Sequence, residues 1–321
     1  MLKCGSWRLG MRIVFMGTPE FAATPLEFLM LNQAGVVAVY TQPDKEAGRG
    51  RALVAPPVKA VALKYGLPVY QPVNLKTAEE RDKLTALKPD IIIVAAFGQI
   101  LPRPVLELPR YSCLNIHPSL LPKYRGVSPV PAAILNGDEF TGVSVMMLDR
   151  GVDTGPVLVQ AQTSITRWDT TGSLTEKLSR IGAQLLLEIL PHWFEGQVTP
   201  QTQDNAQATY TRMIDKEAGE IEWNQPAVEL WRQVRAYQPW PGSYTQWQGK
   251  QLKIIEALPL EGQSGIPGRV VTLAGDVAFG VETGAGILGV VRVQMEGKRA
   301  MMAGEFLRGQ RQLTGAVLPG N

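Results

Sequence analysis

The chain has 321 residues, 45% hydrophobic and 19% charged, an ordinary composition for a globular protein and long enough for two separate cores. Its net charge of +3 is too mild to diagnose nucleic-acid binding, and no apolar run approaches the ~18 residues of a membrane span. Two cysteines (Cys4, Cys113) and two histidines (His117, His192) exclude a disulfide framework and any clustered zinc spacing, so a reducing, cytoplasmic setting without a structural metal is expected.

Residues 1–10 carry Lys3 and Arg8 but no apolar stretch of the signal-peptide kind. They are expected to be a frayed extension or the product of a misassigned start, because the first strand follows Met11 directly. That strand, 12–16, ends in Gly17-Thr18-Pro19, which predicts a helix with Thr18 as N-cap and Pro19 in its first turn. Only Gly17 of a Gly-x-Gly-x-x-Gly pattern is present, which disfavours dinucleotide binding. A second strand at 36–41 leads into a long loop, 42–57, holding three prolines, Gly48 and Gly50, with Lys45, Arg49 and Arg51 set against Asp44 and Glu46. Such a loop is either a solvated mobile segment or a basic finger that orders on a phosphate backbone, with Arg49 at its tip.

Helices at 58–65 and 77–87 flank a short strand at 69–70. The β-branched run 91–96 then reads as a central parallel strand buried on both faces. The stretch after it, Phe97-Gly98-Gln99-Ile100-Leu101, is either plain core and turn or an apolar wall for a flat heterocycle, with main chain bared at Gly98. Next comes Cys113-Leu-Asn-Ile-His-Pro-Ser-Leu-Leu-Pro-Lys-Tyr-Arg-Gly126, a short strand broken by Pro118. Asn115 and His117 stand two apart, so an amide and an imidazole share one side of the strand at its carboxyl end, where open α/β sheets bind ligands. A short helix at 129–135 and strands at 142–148 and 156–163 follow. Between those strands, Asp149-Arg-Gly-Val-Asp153-Thr-Gly-Pro is a glycine-rich turn whose acids are either turn caps or an orienting carboxylate. The helical spacing of Leu174, Leu178, Ile181, Leu185, Leu186 and Ile189 predicts a helix over 173–190 closing the domain, with His192 as a surface or packing residue.

Residues 197–211, rich in Gln and Thr, form a compositional break and are read as a linker between a domain at 11–196 and another at 212–321. Beyond it lie a helix at 227–236 with Trp231 and Val234 inward, a rigid Gln238-Pro-Trp-Pro-Gly turn, and β-rich runs at 252–258, 268–273, 277–281 and 288–295. These runs suggest a small barrel. Residues 211–321 carry 12 Lys plus Arg against 11 Asp plus Glu, a balance of +1, so composition gives no basic-domain signal. Lys298 and Arg299 are either phosphate contacts or solvated charges.

Asn, His and Asp together offer an oxyanion donor, a base and an orienting carboxylate. Asn115-x-His-Pro-Ser-Leu-Leu-Pro followed by Gly-Val-Asp153-Thr-Gly-Pro resembles the folate-dependent formyltransferases. So do Phe15-Met-Gly-Thr-Pro-Glu-Phe-Ala, Thr41-Gln-Pro-Asp-Lys-Glu-Ala-Gly-Arg-Gly and Gln238-Pro-Trp-Pro-Gly, and the resemblance covers nearly the whole chain from Met11. It implies an α/β fold, a Rossmann-like mostly parallel sheet domain followed by an OB-like β-barrel. It also implies catalysis by Asn115, His117 and Asp153, and folate contacts from Ser119, Leu120, Leu121 and Pro122, with Phe97, Gly98 and Ile100. The Asn-His-Asp set gives reaction class only. The Arg49 loop (with Lys45 and Arg51) and the extra domain point within the family to initiator methionyl-tRNA as acceptor, 10-formyltetrahydrofolate as donor, no metal and a monomer. Glycinamide ribonucleotide, an amino-sugar nucleotide, or a non-catalytic folate- or RNA-binding role are the alternatives.

Overall fold

The computed structural model describes residues 10–47, 52–262, 265–273 and 277–320. The chain packs as two compact units: Met1–Pro129 with Phe140–Ser164 and Thr175–Thr211, and Val130–Glu139 with Ile165–Leu174 and Arg212–Asn321.

The first unit is built on β1 (Ile13–Gly17), β2 (Val36–Tyr40), β3 (Val69–Tyr70), β4 (Ile91–Ala95), β5 (Cys113–His117), β6 (Phe140–Met147) and β7 (Val157–Ser164). They form one seven-stranded sheet in the order β7-β6-β5-β4-β1-β2-β3. The five strands from β3 to β5 run parallel, and β6 and β7 add an antiparallel hairpin beside β5. Every residue of β1, β4 and β5 is buried, as continuous apolar strands between two helical layers must be. Edge strand β7 alternates instead.

Helices α1 (Glu20–Leu31), α2 (Pro57–Lys64) and α3 (Ala78–Ala86) make the crossovers between parallel strands. The chain winds outward on either side of β1, so the sequence order switches between β1 and β4. That opens a crevice beyond their carboxyl ends.

Thr18 is not the N-cap of α1. Pro19 holds that position, and the Thr18 hydroxyl donates to the Phe97 carbonyl at 3.0 Å, tying the loop after β1 to the loop after β4. The Thr18 oxygen accepts from the Gln42 N–H at 3.4 Å, and no side chain caps the first turn of α1. A helix at Thr171–Phe194 runs longer than the spacing predicted and packs on the sheet. Gly182 makes that approach possible: a Cβ there would stand 2.6 Å from Ile116 Cγ2 of β5.

Residues 197–211, read from composition as a linker, fall within the first unit. Most of their polar side chains are exposed, but Gln203 is buried and bonded, and Tyr210–Thr211 pairs in parallel with Arg125–Gly126.

The second unit holds α4 (Ala227–Ala236) and an antiparallel sheet of β8 (Ser243–Trp247), β9 (Lys250–Leu260), β10 (Val270–Thr272), β11 (Phe279–Glu282) and β12 (Ile287–Met295). The strand order is β8-β9-β12-β11-β10. Register shifts on either side of Glu256 in the β9–β12 pair curl the sheet. The chain's last segment spans the gap between its edges: Val317 bridges Arg269 beside β10, and Gly320 bridges Trp247 of β8. Leu252, Phe279, Leu288, Val290, Val293 and Leu313 fill the interior. The small barrel is thus present, and its final staves come from residues without a strand-like pattern.

Candidate active site

β5 sets Asn115 and His117 on one side of its carboxyl end, 9% and 4% exposed. The turn between β6 and β7 brings Asp153 over them at φ +53, a left-handed conformation uncommon for residues with a Cβ. Asn115 Nδ2 donates to Asp153 Oδ1 at 3.5 Å, and His117 Nδ1 lies 3.7 Å from Asp153 Oδ2. The backbone N–H of Gly126 donates to the same Oδ2 at 2.8 Å. His117 Nε2 lies 3.0 Å from the Tyr124 carbonyl. A carbonyl can only accept, so Nε2 carries a hydrogen and Nδ1 is the nitrogen turned to the carboxylate. A strand pair and an aspartate 36 residues beyond it therefore meet as one group: an amide with a second N–H to offer, an imidazole of fixed tautomer, and a carboxylate bridging both.

Cys113, two residues before Asn115 on the same strand, takes no nucleophilic part. Burial pushes its thiol up to about 12, and Sγ rests on the Val105 carbonyl at 3.6 Å.

The Ser119-Leu-Leu-Pro122 turn follows His117 and is clamped by Ser144 of β6. The Ser144 hydroxyl donates to the Ser119 carbonyl at 2.6 Å and accepts from the Leu121 N–H at 3.1 Å. Gln160 of β7 adds a donor to Ser144 Oγ at 2.8 Å and another to the Leu121 carbonyl at 2.9 Å. Ser119 Oγ is turned inward to the Lys123 carbonyl, Leu121 packs with Met146 and Val157, and Leu120 and Pro122 are half-buried.

The stretch after β4 divides. The ring of Phe97 is core, 1% exposed, whereas Ile100 is 83% exposed and Gly98 takes a positive φ. Of these three, the side chain of Ile100 and the main chain at Gly98 face outward, and the ring of Phe97 does not. The Phe97 carbonyl is occupied by Thr18 and by Gln42 Nε2 at 3.2 Å.

In the basic loop, Lys45–Ala47 and Ala52–Val54 pair as a short hairpin, and Lys45 donates to Gln42 Oε1 at 2.7 Å. Arg49 and Arg51 lie outside the described residues. The hairpin's root is fastened where Lys59 and Gln71 both bond Asp44, at 2.7 Å each. Elsewhere, His192 is exposed and bonded to Gln197, and Arg299 pairs with Glu305.

Sequence reasoning missed two side chains near Asp153. Arg125 is 1% exposed and Gln203 8% exposed, and they bond each other beneath the turn. Arg125 stands inside the motif, a position that invites a surface reading for any arginine. Gln203 stands in a polar stretch with no signal of burial.

A formyl transferase family model matches residues 11–190, and a formyl transferase C-terminal domain model matches residues 213–311. A methionyl-tRNA formyltransferase of Dehalococcoides mccartyi is 51% identical over 309 residues, covering 96% of this chain and 98% of that protein. Among solved structures, an N-formyltransferase from Helicobacter canadensis, in complex with folinic acid and dTDP-3-aminofucose, is similar at a TM-score of 0.63 and 20% identity. That likeness covers 89% of this chain and 99% of the other. HypX from Aquifex aeolicus, in complex with tetrahydrofolic acid, also scores 0.63 at 20% identity; the match spans 92% of this chain and 47% of the longer one.

Proposed function

The chain belongs to the formyl transferase family, and from that premise we propose that it moves the formyl group of 10-formyltetrahydrofolate onto the free amine of initiator methionyl-tRNA. The observation that carries this reading is the convergence of Asn115, His117 and Asp153 within 3.7 Å at the carboxyl end of β5. The acceptor is taken from the methionyl-tRNA formyltransferases to which the chain is half identical over nearly its whole length.

The amine attacks the formyl carbon, a C–N bond forms, and negative charge develops on the formyl oxygen. Asn115, whose Nδ2 spends one N–H on Asp153, offers the other to that oxygen. The attacking amine becomes cationic and loses its proton toward His117 Nδ1, where the Asp153 carboxylate stabilises the imidazolium. The bond from the formyl carbon to folate N10 then breaks, and the proton passes to N10. His117 Nε2 stays bonded to the Tyr124 carbonyl throughout, so the ring need not flip.

Ser119, Leu120, Leu121 and Pro122 are assigned to the folate, with Ile100 and the main chain of Phe97 and Gly98. Lys45, Arg49 and Arg51 are assigned to the RNA backbone. The first unit is assigned the chemistry and the second a share of RNA binding, as a monomer.

The test is a formylation assay with 10-formyltetrahydrofolate and four acceptors in parallel: initiator methionyl-tRNA, elongator methionyl-tRNA, glycinamide ribonucleotide and an amino-sugar nucleotide. Label on the initiator alone is expected. Label on a small amine would keep the Asn-His-Asp chemistry and overturn the acceptor, and no transfer to any would leave a binding protein.

A further inference from the structure

Asp153 is held by more than its own carboxylate. Its carbonyl and that of Gly155 both accept from Gln203 Nε2, at 2.8 and 2.7 Å. The other end of the same amide, Oε1, accepts from Arg125 Nε at 3.0 Å and Nη2 at 2.8 Å. Arg125 completes its set on Asn205 Oδ1 at 2.9 Å and the Tyr210 hydroxyl at 3.0 Å. Among the described residues no carboxylate bonds Arg125, and a guanidinium 1% exposed is held by the neutral acceptors named. Burying such a charge is costly unless every donor is well placed, so its position is tightly specified.

The neighbours of Arg125 give that position its meaning. The preceding residue, Tyr124, supplies the carbonyl that fixes the tautomer of His117, and the following residue, Gly126, supplies the N–H that holds Asp153 Oδ2. Gly126 itself sits at φ +104 against the Thr211 carbonyl, where a Cβ would come within 2.6 Å. One amide side chain therefore links the two strips of backbone that aim the two titrating groups of the site.

We propose that Gln203 is a positioning residue for formyl transfer: it locks the Asp153 turn to the Tyr124-Arg125-Gly126 strip, and so sets the distance between Asp153 and the Nδ1 of His117. The inference rests on the catalytic reading of Asn115, His117 and Asp153. Gln203 is buried, with both ends of its amide bonded within the chain. Its work is to keep a left-handed aspartate, which a free turn would relax, within reach of the imidazole.

Two substitutions separate this role from a general structural one. Gln203→Met removes both ends of the link. Gln203→Glu keeps the acceptors for Arg125, now charge-assisted, but replaces the two donors with an oxygen facing two carbonyls. If Gln203 served only to satisfy Arg125, Glu would restore function. If it serves to hold the Asp153 turn, Glu fails as Met does.

The expected result is a kcat lowered by about 10²-fold in both variants, the loss typical of a displacement near 1 Å. KM for tRNA and for folate should stay within about twofold. A second readout needs no turnover: the chain has only two histidines, so imidazole NMR resolves His117 from His192. In folded Gln203→Glu the His117 signals should move while those of His192 stay.

Asn115→Ala is run beside them as the control on the reaction itself. If Asn115→Ala is inactive while Gln203→Glu keeps wild-type kcat and an unmoved His117, the positioning role is overturned and the catalytic reading stands. If Asn115→Ala is fully active, the catalytic reading fails first. Should Gln203→Met not fold, Gln203→Glu and the His117 signals decide the matter.

Discussion

At the carboxyl end of β5 the first unit buries Asn115, His117, Ser119, Arg125, Ser144 and Gln203, nearly all with partners from distant parts of the chain. The interior of the second unit is mostly hydrocarbon: Leu252, Phe279, Val290 and Val293 are fully buried and are held by shape alone. Both sets of side chains are buried, but they are specified differently. Hydrocarbon contact falls off gently with distance and tolerates repacking, whereas a buried amide or imidazole is satisfied at one geometry and costly elsewhere. A precise arrangement of donors is what an oxyanion site needs; a scaffold needs only a well-filled core.

That contrast can be broken by substitutions on each side. The largest effect is expected at the site: Asn115→Ala should lower turnover by about 10²–10³, while urea unfolding moves by about 1 kcal/mol or less, since the 3.5 Å contact to Asp153 is a weak one. Steady-state formylation paired with a urea titration checks both halves, and unchanged turnover would remove Asn115 from the reaction. In the barrel the pattern should invert. Leu252→Ala, at a fully buried position, is expected to reduce unfolding free energy by about 2–5 kcal/mol. A loss under about 1 kcal/mol would mean that the curled sheet collapses onto the gap.

The smallest effect is expected at the root of the basic hairpin, a surface counterpart to both. Hydrogen bonds from Lys59 and Gln71 hold the Asp44 carboxyl below the usual carboxylate range. A lowered value means that the stabilisation is present above the ordinary carboxylate pKa and is lost as pH falls through the lowered one. The difference in melting temperature between wild type and Asp44→Asn should therefore be small at neutral pH and vanish in acid. A difference that persists in acid would assign it to packing.

Much of the first unit was legible because its signals are local. The β-branched run at 91–95 can satisfy its backbone only as a central strand, and the two-residue spacing of Asn115 and His117 puts both on one side once that strand forms. Two features ran against local signals. Thr18 has the chemistry of a cap, but its hydroxyl donates to the Phe97 carbonyl and accepts from the Gln42 N–H, both in other loops. Residues 197–211 have the composition of a linker, but Gln203 is buried on the guanidinium of Arg125, which Asn205 and Tyr210 also bond from the surface. Polar composition reports that a segment can be solvated; it does not report that a buried donor elsewhere needs it.

By itself the sequence determined the alternation of strands and helices, the motif that marks the reaction class, and the division between a parallel sheet and a later barrel. Periodicity, turn chemistry and motif spacing all act over a few residues. Only the tertiary structure decided that Asp153 meets His117, that the tautomer of His117 is fixed by a carbonyl seven residues on, and that the barrel's edges are joined by residues 317–320. Those outcomes depend on where the β6–β7 hairpin and the final segment return in space. Such returns are set by the sum of many packing contacts, and no short stretch of chain records that sum.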